Sequence, residues 1–269
     1  GLKKLDLWKN PIESLPSDFG GLASLETLNL KKCRLKELPE SFGNLKNLKT
    51  LDLSENRLET LPESFGRLES LETLDLRKNE LETLPESFGG VKNLQDLMLT
   101  DNRLLRGLPE SFGNLKKLQR LHLKKCGSSR DSDDLRFTLP ESFGGLQSLT
   151  ELVMEKSPLE RLPESFGNLK SLETLNLFGC RLGTLDHVVP DLTRLRHLDA
   201  GRNELSELPL DFEPLERLER LDLYDNDLTG LPESLAHIET LKLITLHNNP
   251  IEDYPDAIKL RAPDLRVKP

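Results

Sequence analysis

Leu2, Leu25, Leu48, Leu71, Leu94, Leu118, Leu149, Leu172, Leu195, Leu218 and Leu241 each open the same phrase, and most are 23 residues apart. The phrase reads L-x-x-L-x-L-x-x-(N/C)-x-L-x-x-L-P-E-S-F-G-x-L-x-x, and residues 48–70 are a clean copy. A chain written this way does not fold around one central core. Each copy is a unit too small to bury its own apolar side chains, so the copies must stack on one another. Composition agrees with repetition of one packing layer. Apolar residues are only 36% of the chain, below the usual ~45–50% of globular domains, and 63 leucines supply most of them.

Within Leu51-Asp52-Leu53 the leucines point to one side of an extended segment and the aspartate to the other. Stacked copies therefore predict an α/β solenoid, a curved horseshoe with a parallel β-sheet on its concave face. At ~4.8 Å between strands, eleven strands make a face roughly 50 Å long. Short helical, 3-10 or extended segments are expected on the convex face. Pro39, Pro62, Pro85, Pro109, Pro140 and Pro163 can each start a helical turn, where a missing N–H costs little. Phe19, Phe42, Phe65, Phe88, Phe112, Phe143, Phe166 and Phe212 share one register and form an internal spine, which removes them from the ligand-binding candidates.

The position after each strand needs a group that satisfies turn amides inside the coil. Asn10, Asn56, Asn79, Asn102, Asn203, Asn226 and Asn249 occupy it, with Cys33, Cys126, Cys180 and Ser157 in the remaining copies. The cysteines are thus too far apart along the stack for the ~4.4–6.8 Å Cα spacing of a disulfide. None of the fifteen asparagines starts an N-x-Ser/Thr sequon. Both observations lean towards a reducing, cytoplasmic setting.

The domain expectation is one unit over 1–269 with eleven repeats. Repeat 5 carries one extra residue, and repeat 6 carries an insertion at 127–134 on the same rim. Residues 250–269 are read as a closing cap with a helical piece around Ala257–Arg261. The chain starts inside a repeat, so it reads as a section of a longer protein.

The solvent-facing strand columns hold the binding candidates: Trp8, Arg77, Lys78, Met98, His122, Lys124, Lys125, Val153, Glu155, Phe178, Arg202 and Tyr224, with Arg130 in the insertion. Trp8, Phe178 and Tyr224 share one outward column, and exposed aromatics are common interface anchors. Tyr254 is expected to be buried. Met98, His122 and Val153 replace the acid or amide that the middle column holds on either side. The basic pairs Lys31–Lys32, Arg77–Lys78 and Lys124–Lys125 flank that acidic column, and charges over the exposed strand positions nearly cancel. The preferred surface is therefore repeats 4–8 with the loop at 127–137. No Ser or Cys nucleophile stands beside a His in these columns, and no Gly-rich phosphate loop is present, so no catalytic site or cofactor is read. His197, Asp199, Asp222 and His247 fall on adjacent strands, but the aspartates belong to the repeat's own preference and no metal is read.

The wording of residues 162–182, LPESFGNLKSLETLNLFGCRL, resembles intracellular leucine-rich repeat proteins with a 23-residue period. The similar groups are plant Ras-group repeat proteins, Ras–phosphatase scaffolds, Roco GTPases and plant NLR immune receptors. The resemblance implies a non-enzymatic recognition module or signalling scaffold, monomeric as this segment, that binds a protein on its concave face. Small GTPases, signalling enzymes and pathogen proteins are the partner classes it implies. The alternative, second to it, is a regulatory or substrate-recruiting segment of a larger enzyme or immune receptor. Net charge of −9 argues against a nucleic-acid surface, and no apolar run approaches the ~20 residues of a membrane helix.

Overall fold

The computed structural model describes residues 1–127, 136–159, 161–185, 188–261 and 264–268. Eleven three-residue strands fall on the leucine triplets: β1 (Lys4–Asp6), β2 (Thr27–Asn29), β3 (Thr50–Asp52), β4 (Thr73–Asp75), β5 (Asp96–Met98), β6 (Arg120–His122), β7 (Glu151–Val153), β8 (Thr174–Asn176), β9 (His197–Asp199), β10 (Arg220–Asp222) and β11 (Leu243–Thr245). The segment read as a cap holds α1 (Asp256–Lys259) and also a twelfth strand, β12 (Arg266–Lys268). All twelve form one parallel sheet in sequence order, as a curved solenoid requires. Register is set by leucine on leucine, as in Leu28↔Leu51↔Leu74. A slip of one residue would turn every leucine outward, so the pattern specifies pairing strongly.

Each word of Pro-Glu-Ser-Phe-Gly has a place in the convex wall. The proline is extended, at φ −67° and ψ 152° for Pro62, and a 3-10 turn over Glu63–Arg67 follows it. The phenylalanine rings stack nearly parallel from Phe19 to Phe166 at centroid distances of 5.9–6.4 Å. Ser41 Oγ of one coil accepts the Gly20 N–H of the coil before it at 3.1 Å, and Ser165 does the same for Gly144. Glycine is required because the next coil's carbonyl comes so close: a Cβ at Gly66 would lie 2.0 Å from the Ser87 carbonyl oxygen. The glutamate also reaches forward, Glu40 Oε2 accepting the Ser64 N–H at 3.2 Å. The repeated motif is thus consumed by coil-to-coil contacts. At the next position of the spine stands Val189, buried, and Phe212 follows it.

The asparagine column is a second ladder. Asn79 Nδ2 donates to Leu53 O at 3.0 Å and Leu76 O at 2.9 Å, while its Oδ1 accepts the Leu58 N–H at 3.1 Å. Cys33, Cys126 and Cys180 are buried free thiols whose Sγ donates one bond to the preceding coil, at 3.1, 3.4 and 3.1 Å. Burial pushes the Cys180 thiol up to about 12 and raises Cys33 and Cys126 as well. Each cysteine is followed by a residue in the left-handed region: Arg34, Gly127 and Arg181, at φ 68°, 60° and 59°. That turn aims the amides on either side of it at one acceptor, as when Cys180 and Leu182 both donate to Asn203 Oδ1.

Phe137, which follows the insertion, is fully buried and bridges to Leu159. Tyr254 is only half-buried, contrary to expectation: one part packs against the end of the core while Lys259 Nζ lies 5.7 Å from its ring.

Candidate functional site

The middle column of the concave face is less available than its charges suggest. Asp6, Asn29, Asp52, Asp75, Asn176 and Asp199 each turn Oδ1 back to accept the backbone N–H two residues on, at 2.9–3.0 Å. This Asx turn explains why the column prefers Asp and Asn. Met98, His122 and Val153 cannot make it. They lie side by side on β5, β6 and β7, all half-buried, and His122 Nε2 is 2.9 Å from Glu151 Oε1.

Most cationic candidates have acidic neighbours. Arg77 is exposed and holds Asp75 by Nε, at 3.0 and 2.9 Å, and by Nη2. Lys124 Nζ is 2.6 Å from Glu155 Oε2, and Lys125 Nζ is 3.7 Å from Asp101 Oδ1. Arg202 Nε donates to Asp225 Oδ2 at 3.0 Å. Lys78 is exposed, with φ 54°. Such partly exposed pairs contribute little to stability, ~0–1 kcal/mol each. They cancel charge across the face and leave the side chains accessible.

The three outward aromatics do not form one group. Trp8 stands alone at the N-terminal end, 53% exposed, with Lys9 Nζ 5.8 Å from its ring. Phe178 and Tyr224 meet at 5.9 Å although β9 lies between their strands, because Gly201 follows that strand and Tyr224 folds over it. Tyr224 also stacks on His247 at 4.7 Å, a contact the sequence reading did not assign. The signal was present: Gly201 and His247 stand in the same column, and a glycine between aromatics lets rings close over the gap. Lys156 Nζ and Arg202 Cζ lie 5.6 and 5.9 Å from the Phe178 ring. Beneath this strip Asp199 is held above the usual carboxylate range, first by burial and then by the adjacent Asp222. Asp222 in turn is occupied by Arg220 and by the Thr245 hydroxyl at 2.8 Å.

His197, Asp199, Asp222 and His247 do not converge. Among the described residues no group of three or more His, Cys, Asp or Glu is placed to hold a metal ion. Arg130 and most of the insertion at 127–134 lie outside the described residues. No helix among the described residues is long and apolar enough to cross a membrane.

Comparison with known proteins agrees with this architecture. A family model described as a leucine-rich repeat region matches residues 42–137. Two models of the single leucine-rich repeat match residues 131–182 and residues 1–22, 24–45 and 217–238. No curated protein gives a match. Among solved structures, a leucine-rich repeat protein of Leptospira interrogans is 31% identical over 99% of this chain and 72% of its own, with a TM-score of 0.71. The ectodomain of the Arabidopsis receptor kinase HAESA, in complex with the peptide hormone IDA, is 34% identical over 94% of this chain, with a TM-score of 0.70. The plant peptide hormone receptor RGFR1, in complex with RGF2, is 27% identical over 99%, with a TM-score of 0.69. This chain spans 45% of the length of each of those two receptors. In repeat phrase, in twelve-stranded parallel sheet and in these likenesses alike, the chain belongs to the leucine-rich repeat proteins.

Proposed function

We propose that this chain is a non-enzymatic recognition module that binds a protein or peptide partner across its concave face, chiefly over β4–β8 and the adjoining rim. The observation that carries this reading is the break in the middle column. There Met98, His122 and Val153 replace the inward-bonded Asx turns and present a half-buried, weakly charged strip flanked by paired acids and bases, Arg120 with Asp96 on one side and Lys124 with Glu155 on the other. Glu155, Phe178, Arg202 and Tyr224 extend that surface towards the C-terminal end. HAESA and RGFR1 are described in complex with peptide hormones, which supports a polypeptide ligand. Small GTPases, signalling enzymes and pathogen proteins remain the proposed partner classes, and the unpaired thiols favour a cytoplasmic setting.

Pull-down with the intact protein, repeated with Phe178→Ala and His122→Ala, tests this. Loss of the captured partner in both variants, with folding intact, is the expected result. Hydrogen exchange that finds protection only at the convex Pro-Glu-Ser-Phe segments would refute it. A second reading, a recruiting segment within a larger receptor or enzyme, draws on the share of the plant receptors that this chain spans. The full-length sequence decides between them.

A further inference from the structure

The convex wall is interrupted at one place. Among the described residues, 3-10 turns run from the first coil to Glu164–Asn168 and resume only at Glu233–His237. Over this gap Val189 stands where the flanking coils have phenylalanine, and the motif becomes Pro190-Asp191-Leu192 and then Pro209-Leu210-Asp211-Phe212. The missing turns leave a hollow of about 680 Å³, floored by Leu208 and walled by Pro190, Pro209 and Pro214. Leu210 stands at its edge, 88% exposed, the most exposed large apolar side chain among the described residues.

The rim of this hollow carries one sign of charge. Asp191, Glu207 and Asp211 line it, all exposed, and among the described residues no basic one does. Some exposed carboxylates elsewhere pair with a neighbouring coil, as Glu69 does with Lys46 and Glu141 with Arg161. Among the described residues these three carboxylates join no ion pair: Lys170 Nζ donates at 2.8 Å to the backbone carbonyl of Asp191, not to its carboxylate, and Asp211 Oδ1 accepts the Glu213 N–H of its own loop. An apolar hollow inside a ring of unpaired carboxylates is complementary to an apolar side chain flanked by cations. Anionic membrane headgroups would be repelled by the same ring.

We infer that the hollow between Thr184 and Pro214 is a second docking surface, for a partner segment that sets leucine-like side chains between lysines or arginines. The surface is on the face opposite the concave sheet, so it is independent of the recognition function proposed above. Each partner cation meets a carboxylate at the rim while the apolar group fills the floor and covers Leu210.

The test is a titration of the isotope-labelled full chain, followed by amide NMR, with the peptide acetyl-Lys-Lys-Leu-Leu-Lys-Lys-amide and a control with Glu in place of Lys. Shifts confined to 184–214, for the lysine peptide alone, are expected. Glu207→Gln combined with Asp211→Asn, and separately Leu210→Ser, should each weaken binding at least about tenfold, and Tyr224→Ala should not. All these positions are exposed or half-exposed, so the variants should fold, and their amide spectra verify it. Shifts spread along the glutamates of the other convex motifs would overturn the proposal. So would equal binding of the control peptide, or variants without effect. Self-association of the free chain that Leu210→Ser abolishes would also overturn it, by making a second copy the occupant.

Discussion

Removing the Asn79 amide strips the coil of two donors and an acceptor in a site that is almost closed to water. Each net bond is worth ~0.5–1.5 kcal/mol, and stranded backbone groups cost more. Asn79→Ala should therefore lower unfolding free energy by about 2–4 kcal/mol in denaturant titration. Asn10→Ala, at an exposed position with two bonds to carbonyls, should cost about 1 kcal/mol or less. The cysteines make a different prediction. A folded-state pKa of about 12 at Cys180 is above the ordinary thiol value near 9. The folded protein thus binds that proton more tightly than the unfolded chain does. The stability it contributes is full below about pH 8.5 and is lost as pH rises towards 12. Cys180→Ser, which keeps a donor for Met154 O as Ser157 keeps one for Leu123 O, should flatten this alkaline loss. If wild type and variant lose stability in parallel between pH 8 and 11, the thiol plays no part.

At the scale of the coil, the asparagine of one repeat fixes the length of the repeat before it. Its Oδ1 accepts the N–H of the leucine two places beyond the column, as for Leu58, Leu81, Leu205 and Leu228. Repeats 5 and 6 are followed by Cys126 and Ser157, which carry no amide oxygen, and the two insertions fall there, whereas repeats 1 and 7, followed by Cys33 and Cys180, keep the 23-residue length. The insertions were legible as breaks in period; the coil that follows them permits the extra residues without requiring them. The same scale separates glycines that look alike in sequence. Gly66→Ala drives a Cβ into the Ser87 carbonyl and should cost roughly 1–3 kcal/mol, since backbone on both sides must move. Gly183→Ala meets nothing within 4 Å and should be neutral or stabilising, by up to ~1 kcal/mol. Thermal melts of the two variants check the contrast.

Over the whole molecule, columns at a fixed period were readable because each leucine repeats its environment. The twelfth strand was not, since its triplet Arg266-Val267-Lys268 holds one apolar residue and no leucine pair. Val267 does lie 23 residues after Ile244 and Ile258 after Leu235, so the spacing persists where the letters have changed. Of the proposed recognition face, the column that each residue occupies was legible but its liaisons were not. Whether an aspartate bonds its own turn, or a tyrosine leans across a glycine, depends on side-chain torsions that no period encodes. Solenoids open piecewise where neighbour contacts are weakest. Here that place is the gap where Val189 interrupts the aromatic stack. Native-state hydrogen exchange at low denaturant should find amides of 189–218 released before those of the coils from Phe42 to Phe166. Uniform protection along the chain would contradict this.

The stack of phenylalanines also constrains how such a molecule can change its length. Excising residues 48–70 would bring Phe42 against Phe88 and set Asn79 over Cys33, so every rung meets an equivalent neighbour. A cut that removed only part of the repeated phrase would throw both ladders out of phase. Growth and loss are therefore quantised in whole coils, and the reach of the concave face becomes a heritable quantity adjustable one rung at a time.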